Sequence, residues 1–240
     1  MKIDLKVPSN LDEITVGQYQ EFVKVQSNTN DPEFLAQKMI SIFCEISLSD
    51  VLNIKYSSIV EIAQHFTDIF KEESPLKTRF EFKGIDFGFV PKLEDISFGE
   101  YIDLEQHLQN WDSYHKALAV LYRPVNSSIG GKYTIRDYSI DENHQDLMKH
   151  IPVSIALGAT LFFCRLGREL SVLTLDSLAR MEEEKQKKTL PQGQSLEGNG
   201  LGINQYIQLL KETSQNLMKL QDSEFTNVSP ILPLKARKTK

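Results

Sequence analysis

The chain has 240 residues, of which 40% are hydrophobic and 9% aromatic. This share suffices for a hydrophobic core, so wholesale disorder is excluded, and the length suits one large domain or a smaller domain with a long appendage. The formal net charge of −6 argues against a general nucleic-acid binder, because non-specific affinity depends on cations that neutralise phosphates. The basic end at residues 235–240 is the local exception.

Neither a signal peptide nor a membrane span is expected. The start of the chain alternates charged and apolar residues, unlike a secretory signal. The longest apolar run, residues 151–164, is shorter than the roughly twenty residues that a spanning helix needs. Cys44 and Cys164 lie in apolar helical runs and are interpreted as small buried hydrophobes.

The predicted elements are mostly helices. Apolar residues at helical spacing, with caps and stops, predict helices at 15–25, 31–46, 57–73, 97–110, 111–122, 142–150 and 152 to about 188. Alternating patterns predict short strands at 2–7 and 132–138 and a β-hairpin near 77–90, while 125–131 is predicted to be a loop. The fold class is therefore mainly α (α+β): a multi-helix globular domain over 1–188 with a small β-hairpin or antiparallel sheet.

One pattern occurs twice, at residues 11–22 and 93–104, each time after a Val-Pro pair. The spacing of a capping box occurs in both copies, as Thr15 with Gln18 and as Ser97 with Glu100. In such a box the side chain of the first residue accepts from the backbone amide three positions later, and the side chain of that later residue accepts from the backbone amide of the first. The repeat is either a duplicated binding face or two well-made helix starts. We favour helix starts, because capping signals recur through local chemistry alone.

No catalytic or metal-binding constellation stands out in the sequence. No two of the five histidines have the i, i+4 spacing of a zinc-binding helix, and no Cys-x-x-Cys pair is present. The stretch 128–132 lacks the first glycine of a phosphate-binding loop, and Tyr133 replaces its hydroxyl ligand to magnesium. We expect no catalytic residue, no metal and no cofactor.

The C-terminal third predicts an arm that binds another protein. A flexible linker at 189–203, rich in glycine, leads to an isolated amphipathic helix at 204–221 and an extended, basic-ended tail at 222–240. A lone amphipathic helix needs a surface that buries its apolar side, which is either its own domain or a partner. The alternative to an arm is that helix and tail are simply disordered. The predicted partner-binding residues are Tyr206, Leu210, Leu217, Leu220, Phe225, Ile231, Leu232 and Leu234.

Four stretches carry a resemblance to a known group of proteins. They are Val7-Pro8 with 11–22, residues 87–104, residues 115–124 and residues 151–163. Together they resemble small proteins from the structural gene blocks of tailed bacteriophages, crAss-like and related gut and marine phages among them, some labelled tail assembly chaperones. The similarity covers roughly residues 1–175 and leaves the arm uncovered.

The resemblance implies a non-enzymatic virion protein, made in the bacterial host cytoplasm and located in the tail or neck region of the particle. It would act as a ring or cargo subunit at the portal, neck or tail, as part of a homo-oligomeric ring whose partners are other phage structural proteins. The alternative is a tail assembly chaperone that is absent from the mature virion. A third hypothesis, an enzyme or nucleic-acid factor, agrees less well with the acidic balance and the missing motifs.

Overall fold

The computed structural model describes residues 5–166. Within this part, one compact unit runs to Ala159 and a second unit begins at Thr160. The predicted domain end at 188, the linker at 189–203, the arm helix at 204–221 and the tail at 222–240 lie outside the described residues.

Helices dominate the described chain, which confirms the predicted fold class. They are α1 (Val16–Asn28), α2 (Pro32–Phe43), α3 (Leu48–Val51), α4 (Tyr56–Ile69), α5 (Phe98–His107), α6 (Tyr114–Leu121), α7 (Glu142–Leu147) and α8, which comprises residues 153–166 up to the last one described. The predicted cap of α2 is present, because the Asp31 carboxylate accepts from the amides of Glu33 and Phe34.

Four strands form one antiparallel sheet in the order β1-β2-β3-β4. The strands are β1 (Arg79–Phe82), β2 (Ile85–Phe89), β3 (Tyr122–Ile129) and β4 (Lys132–Ile135). The predicted hairpin is β1–β2. Its turn residues Lys83 and Gly84 both have positive φ, at 50° and 75°, as a two-residue hairpin turn requires.

The core of the first unit is built from aromatic side chains of α1, α2 and α4. Phe43 lies at its centre, with its ring centroid 5.4 Å from that of Phe22, 5.2 Å from that of Phe66 and 5.6 Å from that of Phe70. The sheet adds Phe87, which is fully buried and stacks on His144 of α7. Edge-to-face and offset aromatic pairs add to the energy of burial and fix the relative positions of the helices.

The prediction for 125–131 is wrong, and the prediction for 2–7 is wrong over its described residues 5–7. Residues 125–131 were predicted to be a loop, but β3 extends to Ile129 and turns into β4 through Gly130 and Gly131, both at positive φ. This strand is mostly exposed, so its sequence lacks the alternation by which strands are detected. At the start of the chain, the described residues of the predicted 2–7 strand have no ladder partner, because alternation reports one-sided burial and does not require pairing.

Candidate protein-binding surface

Both capping boxes that the sequence predicts are present at the starts of α1 and α5. The Gln18 amide donates to Thr15 Oγ1 at 3.2 Å, and the Thr15 amide donates to Gln18 Oε1 at 2.8 Å. In the second copy the Glu100 amide donates to Ser97 Oγ at 3.3 Å, and the Ser97 amide donates to Glu100 Oε2 at 2.6 Å. The two copies of the repeat therefore build the same local structure.

The second box is tied to the sheet by a buried ion pair. Glu100 Oε1 lies 2.5 Å from Arg123 Nη2 of β3, and both side chains are less than a tenth exposed. Burial alone raises the pKa of the Glu100 carboxyl, but the hydrogen bonds from Ser97 and the attraction of Arg123 outweigh it, and the pKa lies below its ordinary value. This pair fixes which side of α5 is turned towards the sheet.

In α1, the face that follows the capping box is buried. Val16, Tyr19 and Gln20 lie at positions i, i+3 and i+4, on one side of the helix, and all three are buried. The Tyr19 ring packs against Trp111 and Phe70, with centroids 4.7 Å and 5.4 Å away. The first copy of the repeat thus supplies part of the core.

In α5, the equivalent face is exposed. Phe98, Tyr101 and Ile102 occupy the positions of Val16, Tyr19 and Gln20, yet they are 78%, 50% and 43% exposed. These three side chains, called here the α5 face, form a continuous apolar stripe because they are spaced i, i+3 and i+4. Leu104, one turn after Tyr101, is buried like its counterpart Phe22. A stripe of two aromatic side chains and one aliphatic side chain on an anchored helix is suited to a protein partner.

The sequence did not single out the α5 face. Phe98 and Tyr101 match Val16 and Tyr19 in class, and only Ile102 differs, because α1 has Gln20 at that position. The repeat therefore gives little sign that one copy is covered and the other is not. The available signal was the number of apolar positions on α5. Phe98, Tyr101, Ile102 and Leu104 cover a wider arc of the helix than its single buried apolar residue, Leu104, accounts for. The predicted partner-binding residues, Tyr206 to Leu234, lie outside the described residues.

The buried histidines of the described chain serve as hydrogen-bonding partners. His115 Nδ1 lies 3.0 Å from Gln20 Nε2, which also donates to the Trp111 carbonyl oxygen. Burial lowers the pKa of His115 to about 4, and neighbouring lysines act in the same direction. The neutral ring accepts from the Gln20 amide, and a protonated ring would place two donors against each other.

His144 and Cys44 also have structural environments. His144 Nε2 donates to the carbonyl oxygens of Tyr122 and Ala119 at 2.9 Å and 3.2 Å, which connects α7 to the end of α6. Burial raises the pKa of the Cys44 thiol to about 11. A thiol with a raised pKa is largely protonated at neutral pH, where its reactive thiolate is scarce.

Among residues 5–166, no group of three or more histidine, cysteine or acidic side chains is arranged to hold a metal ion. In the same part of the chain, no helix combines the length and the apolar character needed to cross a membrane. A shallow groove of about 230 Å³ lies between α2, α3 and α4, next to the exposed side chains of Leu52 and Tyr56. This volume is below the roughly 300–1,000 Å³ of typical small-molecule sites.

Comparisons of the chain with protein-family models, with curated proteins and with solved structures found no match.

Proposed function

We propose that this chain is a non-enzymatic structural protein of a tailed-phage virion, a ring or cargo-type subunit at the portal, neck or tail that binds neighbouring subunits. The observation that carries the proposal is the α5 face, where an anchored helix presents Phe98, Tyr101 and Ile102 to solvent. Exposed aromatic side chains on a rigid element lose little conformational entropy on binding, so they make effective contacts between proteins.

The arm supplies the second half of the proposed contact. The apolar residues predicted for its helix and tail, Tyr206 to Leu234, need a surface that buries them. The α5 face needs a partner that covers it. A chain with two such different surfaces joins copies head to tail, and head-to-tail contacts close into rings when the rotation between subunits allows it. The phage setting is supported by the resemblance of residues 1–175.

The proposal is tested by peptide mass spectrometry on purified particles of a phage that encodes this chain. We expect a fixed, ring-like copy number relative to the major capsid protein. Abundance in infected-cell lysate with absence from particles would favour the tail assembly chaperone instead.

A pair of variants tests the surface in the same experiment. Phe98→Asp places a charge in the α5 face and is expected to lower the copy number in particles. Ile129→Asp is the matched control. Ile129 is also an exposed hydrophobic residue, at 83%, but it lies at the end of β3 and is not part of the α5 face. Equal recovery of both variants at the wild-type copy number would contradict the role of the α5 face.

A further inference from the structure

The buried counterpart of the α5 face shows which kind of segment covers such a helix start. Residues 149–153 lie across the beginning of α1. The Val16 amide donates to the Ile151 carbonyl oxygen at 3.0 Å, the Gly17 amide donates to that of Lys149 at 2.7 Å, and the Val153 amide donates to that of Ile14 at 2.8 Å. Thr15 and Pro152 form an antiparallel bridge. The first two bonds satisfy helix amides that have no partner within the helix.

The same acceptors are missing at the start of α5. Within residues 5–166, neither the Phe98 amide nor the Gly99 amide has a hydrogen-bond acceptor. A Cβ built on Gly17 would lie 3.2 Å from the Lys149 carbonyl oxygen, whereas a Cβ built on Gly99 would come no closer than 3.4 Å to the side chain of Tyr138. The second copy therefore has the caps and the glycine of the first, with the Tyr138 ring beside Gly99 where the first copy has a backbone segment beside Gly17.

The sequence around Pro152, which lies over the start of α1, has one counterpart elsewhere in the chain. Of its nine prolines, only Pro152 and Pro233 lie between two aliphatic residues, in Ile151-Pro152-Val153 and Leu232-Pro233-Leu234. Proline fixes its own φ and favours an extended conformation in the residue before it, so a triplet of this kind is suited to an extended segment. The second triplet belongs to the tail, outside the described residues.

We propose that the tail of a neighbouring copy, residues 230–240, docks across the start of α5 in the register that residues 149–153 adopt on α1. The Phe98 and Gly99 amides then donate to the carbonyl oxygens of Leu232 and Pro230. The Leu234 amide donates to the Ile96 carbonyl oxygen, and the aliphatic side chains of the tail cover the α5 face.

Charge favours the same register. In the first copy, the residue after the triplet is Ser154, whose hydroxyl donates to Asp12, and the Lys77 ammonium lies 2.8 Å from the same carboxylate. In the second copy, Glu94 takes the place of Asp12 and the residue after the triplet is Lys235. A cation thus meets a carboxylate that is exposed and has no salt bridge within residues 5–166.

The rest of the tail continues this match. Arg237, Lys238 and Lys240 complete a basic end, and exposed Glu105 adds to the acidic character of α5, whereas Asp95 in the turn before it is paired with Lys92 at 3.3 Å. Opposite charges across an interface fix its register more than they raise its affinity.

A second copy is the occupant that accords with the proposed function, on which this inference rests. When the tail of each copy fills the α5 face of the next, every face is covered once a ring closes. The sixty-three residues between Leu166 and Pro230, 167–229, supply ample length to reach a neighbour.

The test is photo-cross-linking of the purified full-length chain with p-benzoylphenylalanine in place of Phe98. Equal amounts of ¹⁵N-labelled and unlabelled chain are mixed while dilute, concentrated together and irradiated. We expect cross-linked peptides that join position 98 to residues 230–240, about half of them pairing a labelled with an unlabelled chain, as random assembly of a ring predicts. The same photoreactive residue at Ile129 is the control and is expected not to reach the tail.

Tail variants test the contact and its register. Leu232→Asp with Leu234→Asp is expected to reduce the cross-link yield about tenfold, because charges cannot cover the α5 face. Lys235→Glu is expected to reduce it less, and addition of Glu94→Lys is expected to restore it. Failure of this restoration would refute the register.

Two further outcomes would overturn the inference and leave the proposed function to the particle experiment. Cross-links confined to pairs of like-labelled chains would place the tail on its own domain. The absence of any cross-link to residues 230–240 would exclude the tail as the occupant of the α5 face. Recovery of the chain from virions at a fixed copy number is compatible with either outcome, so the two failures are distinguishable.

Discussion

Replacement of Glu100 by glutamine is expected to destabilise the protein far more than its small change in shape suggests. The amide oxygen of glutamine preserves the capping box, as Gln18 does in the first copy. The substitution removes the charge that faces Arg123, and the Arg123 Nε atom is already buried without an acceptor in the described part of the chain. Loss of one partner from a buried ion pair costs about 3–5 kcal/mol, so we expect a loss of about 3 kcal/mol in the free energy of unfolding.

The assay is urea and thermal unfolding followed by circular dichroism at pH 7. A loss of about 3 kcal/mol corresponds to a fall in Tm of roughly 6–12 °C for a chain of this size. Gln18→Ala is the control, because it removes the acceptor at the equivalent position of the first box, where no buried cation depends on it, and it should cost about 1 kcal/mol. The double variant Glu100→Gln with Arg123→Met removes both charges and is expected to recover most of the loss.

The pH dependence provides the refutation. Because the pKa of Glu100 is lowered in the folded state from its ordinary value of 4.5, its stabilisation is complete above that pH and is lost as the pH falls through the folded pKa. The difference between wild type and Glu100→Gln should therefore shrink in acid. A loss below about 1 kcal/mol at neutral pH, or a difference that does not change in acid, would show that the ion pair does not anchor α5.

Two further predictions concern other parts of the fold. The unfolded chain protonates His115 near pH 6.5, whereas in the folded chain its pKa is lowered to about 4. As the pH falls from 6.5 towards 4, each unit should therefore remove about 1.4 kcal/mol from the free energy of unfolding, because only the unfolded chain gains the proton. Urea unfolding at pH 7 and pH 5 measures this loss, and equal midpoints for wild type would contradict it. Gly158→Ala should destabilise by about 1–3 kcal/mol in thermal unfolding, because the new Cβ would lie 2.5 Å from the Pro75 carbonyl oxygen and backbone cannot move aside cheaply. Gly99→Ala is its control and should be neutral, since its nearest neighbour is a ring atom at ordinary contact distance.

Sequence patterns predicted those parts of the fold that depend on neighbouring residues. The capping boxes, the Asp31 cap and the β1–β2 turn are all local chemistry, and all four are present. The β3 strand was missed because its pairing with β2 and β4 depends on residues far away in the chain, and its exposed side chains carry no alternation. The four-residue helix α3 was missed because it is too short to show a period.

The arm and the α5 face differ in what the sequence says about them, and the arm stays a prediction because its residues lie outside those described. The arm carries its signal in sequence, because an apolar stripe after a glycine-rich linker is visible without coordinates. The α5 face carries only a weak signal, the excess of apolar positions on its helix, because exposure depends on what packs against a helix. Tyr19 and Tyr101 occupy the same position in the repeat, and only the first meets Trp111 and Phe70.

The two copies of the repeat separate the energy of a helix start from the energy of its burial. Each capping box satisfies backbone groups within its own turn, a contribution of about 1 kcal/mol that any context permits. Burial of the adjoining face requires neighbours such as Trp111 and Phe70, which Tyr19 has and Tyr101 lacks among the described residues. An aromatic residue the size of Phe98 forgoes about 1.5–3 kcal/mol while it remains in water. The capping box thus stabilises the start of α5 even though the α5 face is exposed. A folded subunit can therefore present this face to a partner without a prior change in structure.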